Sequence, residues 1–159
     1  MMGWDDMQSM GTAEGRAESE LEQLLNAVIP FAQQMLSKHG EFNPFAAAVS
    51  REGRLKFIGI PPHEQNKITE DLIDRLRETL IIGASKGDYR ATGICSDVSV
   101  AVTDDGEKSD AVRISLEHLD GQSMNVFLPY RMDPAGEIEY GEIFASVTDP
   151  VVFLRGFND

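Results

Sequence analysis

Cysteine is almost absent from this chain: Cys95 is the only one in 159 residues. An internal disulfide and a thiolate metal site are both excluded, and a reducing cytoplasm is the expected setting. Long apolar runs are also missing. No stretch reaches the roughly 18 residues of a membrane-spanning helix. Residues Met1–Asp6 carry neither the basic start nor the apolar run of about 7–15 residues that mark a secretory signal.

Positive charge is scarce. Fourteen Lys and Arg stand against 27 Asp and Glu, for a formal charge of −13. Such a surface repels nucleic-acid backbones and anionic lipid, so a basic protein or a cationic ligand is the better partner. Histidine is sparse and scattered, at His39, His63 and His118. His63-Glu64 has no second His four residues after the first, so the zinc-helix pattern fails. There is no glycine-rich phosphate loop with a following Lys and no Gly-x-Ser-x-Gly elbow. No cofactor and no metal is expected, and these absences lean away from an enzyme.

What is present describes one α+β domain. The Gly-, Ser-, Met- and acid-rich residues 1–17, with the only Trp at Trp4, read as a flexible acidic tail, and 18–159 as a single domain. Leu21, Leu24, Leu25, Val28, Ala32, Met35 and Leu36 recur at helical spacing, with Pro30 predicting a kink or a restart and Gly40 a stop. Phe45–Ser50 and Leu55–Ile60 read as a hairpin around Arg51–Arg54. A second helix is expected over about Gln65–Lys86, its buried face marked by Ile68, Leu72, Ile73, Leu76, Leu80 and Ala84.

Four strands complete the order α-β-β-α-β-β-β-β: about Arg90–Thr103, Asp110–His118, Ser123–Tyr130 and Ile138–Val147. Strict alternation of Val112, Ile114 and Leu116 with Arg113, Ser115 and Glu117 gives the third of the domain's hydrophobic signatures, a strand buried on one face. Asp120-Gly121 is a hairpin turn. The expected class is two helices packed on a mostly antiparallel sheet of about five to six strands. That order loosely resembles the profilin-like or roadblock arrangement.

Two polar clusters stand out. Glu117-His118-Leu119-Asp120-Gly121 offers His118 as a general base, with Glu117, Asp120 or Glu142 as carboxylate partners if a cleft forms there. Against that, turn chemistry alone accounts for Asp120 and Gly121. Tyr130, Arg131, Tyr140 and Glu142 form the second cluster, a candidate binding rim of the aromatic and Arg type found at interfaces. Cross-strand pairing within one hairpin explains the same residues. Cys95 lacks the basic neighbourhood of a reactive thiol. Glu41-Phe42-Asn43-Pro44-Phe45 reads as a connector pinned by two Phe.

Taken in order, Glu41-Phe42-Asn43-Pro44-Phe45-Ala46, Leu116-Glu117-His118-Leu119-Asp120-Gly121, Val126-Phe127-Leu128-Pro129-Tyr130 and Glu139-Tyr140-Gly141-Glu142 resemble a family of small, uncharacterised bacterial proteins. The resemblance covers about residues 20–150 and implies a bacterial cytosolic protein without an assigned reaction. From the acid excess, the half-buried sheet and the missing motifs, the leading expectation is a non-enzymatic binding protein that sequesters a basic protein partner, as an immunity protein or secretion chaperone does. The alternative is a small enzyme built on His118. A homodimer through a sheet face bearing Cys95, Ser99 and Ala101 is a third reading.

Overall fold

The computed structural model describes residues 13–64 and 67–153. The order is α1 (Ala13–His39), β1 (Phe45–Ser50), β2 (Leu55–Ile58), a 3-10 turn at Pro62–Glu64, α2 (Thr69–Ser85), β3 (Tyr89–Ala101), β4 (Lys108–His118), β5 (Ser123–Met132), β6 (Ile138–Tyr140) and β7 (Phe144–Val147). The strands form one antiparallel sheet in the order β2-β1-β3-β4-β5, with β6 and β7 both paired to β5. This is the α+β class expected from the pattern.

The two helices lie on opposite faces of the sheet, because β1 buries both of its phases. Phe45, Ala47 and Val49 join Leu24, Val28 and Leu36 of α1, with Cys95, Val112, Ile114, Leu116, Val126 and Leu128 completing that layer. Ala46 and Ala48 point the other way, onto Leu72, Ile73, Leu76 and Leu80 of α2, with Val152 and Phe153. Small residues at 46–48 let both helices approach a strand that is covered twice. Each fully buried Leu contributes about 2 kcal/mol.

α1 is one continuous helix through Pro30, so it does not restart there. Pro30 is on the exposed face. The missing N–H costs about 3 kcal/mol, and the stripe from Leu21 to Leu36, anchored on the sheet at both ends, holds the helix across it. α1 begins at Ala13, so residues 13–17 belong to its first turns rather than to a tail; the tail reading for 1–12, Trp4 included, lies outside the described residues.

α2 starts later than the pattern implies. Ile68 is extended (φ −68°, ψ 155°) and precedes the first turn, so it is 66% exposed instead of facing the core. The expected start at Gln65 lies outside the described residues. Gly83 sits where α2 meets Tyr89, so close that a side-chain carbon there would overlap the tyrosine ring.

The strand expected over Ile138–Val147 is split in two. Tyr130 pairs with Tyr140, and Phe127 with Phe144, so three steps along β5 match four along the outer segment. The cause is Pro129. Its carbonyl accepts from Gly141 N–H at 2.9 Å, so its ring nitrogen, which has no hydrogen to donate, faces the same neighbour. The ladder lacks a bond there and slips by one residue.

Candidate functional site

His118 ends β4 just before the Asp120-Gly121 turn, where its backbone N–H donates to Gln122 O and Gly121, at φ 104°, closes the hairpin. The side chain points to the α1 face and is 3% exposed. Its Nε2 lies 2.8 Å from Glu20 Oε1 of α1. Its Nδ1 accepts the Asp120 backbone N–H at 3.0 Å. A nitrogen that accepts an N–H carries no proton, so the ring is the tautomer that donates from Nε2 to Glu20. The other Glu20 oxygen pairs with Arg90 Nη2. Both ring nitrogens are thus committed, and buried Glu20 and His118 with half-buried Arg90 form a network that ties α1 to the end of the sheet.

Glu117 is on the opposite face. Its carboxylate accepts three backbone N–H groups in succession, from Val151 (2.9 Å), Val152 (2.9 Å) and Phe153 (3.1 Å). That arrangement pins the C-terminal segment against α2. The Asp120 carboxylate is 3.9 Å from His118 Nδ1. The carboxylates named beside His118 in the chain therefore do not converge on it, and the one that does, Glu20, is 98 residues away.

The second cluster divides between faces. Tyr130 is buried and donates a 2.6 Å hydrogen bond to Asp97 Oδ1. Burial, followed by the bond to Asp97 and that carboxylate's charge, raises the Tyr130 hydroxyl far above the usual phenol range. Burial likewise raises the Asp97 carboxyl, with Asp110 and Glu41 adding to it against the Tyr130 bond. Tyr140 packs on Tyr130 with ring centres 6.4 Å apart. Arg131 points to the other face and pairs with Glu139 at 2.9 Å. Glu142 is exposed in the break between β6 and β7.

Cys95 faces α1 and is fully buried, so it is absent from any open sheet face; Ser99 and Ala101, further along β3, are exposed. Burial and the neighbouring Asp97 raise the thiol well above its usual value. The Phe42–Phe45 connector is pinned as expected, with the rings 5.9 Å apart and edge-on.

The outer edge of the sheet was not singled out by sequence pattern. All four residues of β7, Phe144-Ala145-Ser146-Val147, are exposed. Val147 is 89% exposed, and Ile143 and Phe144 are exposed beside it in the chain. Free sheet edges are ordinarily guarded by Lys, Pro or a covering element. The opposite edge, β2, carries Lys56. β7 carries no charge and no proline. Around it, residues 133–150 include Asp133, Glu137, Glu139, Glu142 and Asp149 and no Lys or Arg. The signal was present in this charge asymmetry, but exposure of Phe144 depends on the slip at Pro129.

Among the described residues, no group of three or more His, Cys, Asp or Glu is placed to hold a metal ion, and no helix is long and apolar enough to cross a membrane. Comparison with protein-family models, with curated proteins and with solved structures finds no match for this chain.

Proposed function

We propose that the protein is a non-catalytic binding module that sequesters a basic protein partner in the cytoplasm by pairing a strand of that partner with β7. The observation that carries this reading is the unguarded edge: four exposed residues without charge or proline, set in a segment whose charges are all negative. Strand addition supplies main-chain hydrogen bonds, and exposed Phe144 and Val147 supply apolar contact. With Glu139 paired to Arg131, the other four surrounding carboxylates steer a cationic chain toward that edge. A second copy of this chain fits less well, since two edges of like charge on bodies of net charge −13 repel.

The test uses the full chain as bait in host lysate, washed at low and then high salt. The expected result is a stoichiometric basic protein, released by salt, retained by Ile68→Lys and lost with Val147→Lys. Ile68 and Val147 are both well exposed, so neither change disturbs the core. Capture that survives Val147→Lys, or that is indifferent to salt, overturns the proposal. A concentration-dependent dimer abolished by Val147→Lys would assign the edge to a second copy instead.

A further inference from the structure

The α2 face of the sheet holds a second feature, independent of the β7 edge reading. Arg113 of β4 and Arg77 of α2 border one cleft of about 190 Å³, which also has Ser115, Asn125 and Asp149 on its walls. Each guanidinium has its Nε buried with no acceptor. Asp74 takes Arg77 Nη1 at 2.8 Å and leaves that Nε unanswered. Arg113 has no ion-pair partner among the described residues. Ser96 faces Arg113 directly across β3 and β4, and its hydroxyl is fully buried without a hydrogen bond. Ser115 donates to Asn125 Oδ1 at 2.7 Å, which leaves the Asn125 amide hydrogens to donate.

This is an unusual concentration of donors. Two like charges share a partly desolvated space, and buried N–H groups without acceptors are costly. Burial and the charge of Arg77 both lower the Arg113 guanidinium below its usual value. Of the acidic groups nearby, Asp74 pairs with Arg77, Glu117 is occupied by three backbone N–H groups and Asp149 is exposed at the rim, so Arg113 is the guanidinium left without a carboxylate partner. One oxyanion in the cleft would pair with the guanidinium groups of both lining arginines and relieve the repulsion between them, since planar guanidinium matches carboxylate and phosphate oxygens.

We infer that the cleft between Arg77 and Arg113 is a binding site for a small oxyanion, the phosphate or carboxylate group of a small molecule. The volume of about 190 Å³ admits a small molecule carrying such a group. The overall charge of −13 repels polyanions such as nucleic acid, so a small ligand of low charge is the occupant the chain selects.

The test is an NMR titration of the full chain, following arginine Nε–H signals at fixed ionic strength, with inorganic phosphate, acetate or chloride as probe. The expected result is saturable shifts of Arg77 and Arg113 with phosphate, acetate or both, and none with chloride. Arg113→Gln weakens binding at least about tenfold, the loss of one charge-assisted hydrogen bond, whereas Arg131→Gln, remote from the cleft, leaves it unchanged. Asp149→Asn, an exposed change that leaves the fold intact, tightens binding by removing the rim's negative charge. Saturation by chloride alone, shifts that never saturate, or an affinity unmoved by both Arg113→Gln and Asp149→Asn overturns the inference. Response to phosphate only would identify a phosphorylated ligand, and response to acetate only a carboxylate.

Discussion

His118 and Glu20 meet at 2.8 Å across 98 residues of chain, joining the last residue of β4 to the second turn of α1. Both are buried. Glu20 also holds Arg90, so one carboxylate answers two donors. Removing it leaves both without their acceptor. Glu20→Ala is expected to lower stability by about 2–4 kcal/mol, and Glu20→Gln, which keeps one acceptor oxygen, by about 1–2 kcal/mol. Urea unfolding followed by circular dichroism measures both. Equal stability of Glu20→Ala and the parent chain would show that the network contributes nothing.

Asp97 gives stability a pH dependence of the opposite sign to the common carboxylate case. Its pKa is raised in the folded state, first by burial. The folded chain therefore holds this proton to higher pH than the unfolded chain does. The associated stability is present at low pH and lost as pH rises through the folded value. Asp97→Asn keeps an acceptor for Tyr130 and never ionises. It is expected to be more stable than the parent at neutral pH, with the difference shrinking toward about pH 4. A difference that grows on acidification would contradict this.

Gly83 and Tyr89 cannot both be large. A side-chain carbon at 83 would overlap the Tyr89 ring, so Gly83→Ala is expected to destabilise by about 1–3 kcal/mol despite the better helix propensity of Ala. Adding Tyr89→Val should remove most of the penalty that Gly83→Ala adds, read as a coupling energy in a double-mutant cycle. Additive effects would place the cause elsewhere.

Cys95 should be inert in the folded protein. It is fully buried, and burial raises its pKa, so little thiolate forms and no reagent reaches it. Reaction with a chromogenic disulfide at mildly alkaline pH should be slow in buffer and immediate in denaturant. Rapid reaction in buffer would contradict the packing.

The sheet's centre was legible because its signals are local. Alternation in β4 and β5, the Asp120-Gly121 turn and the leucine stripe of α1 each lie within one short window of sequence. The boundaries of α2 and the split of the last strand were harder. Ile68 looks like a member of the helical stripe, and only the extended backbone before Thr69 excludes it. The split was in principle readable from Pro129, but only once β5 is known to pair on that side. The polar contacts were least legible. Glu20 with His118, Glu117 with the backbone at 151–153, and Arg77 beside Arg113 are meetings of distant elements, and the residues next to His118 and Arg113 in sequence point to other faces.

The central claim is that β7 is a docking edge for a basic chain. Backbone hydrogen exchange of the protein, alone and saturated with the basic partner it captures, tests it most directly. The account predicts new protection across Phe144–Val147, little change across Leu55–Ile58 at the opposite edge, and loss of the effect in high salt. Protection confined to β2 or to the helices, with β7 exchanging as fast as before, would contradict it.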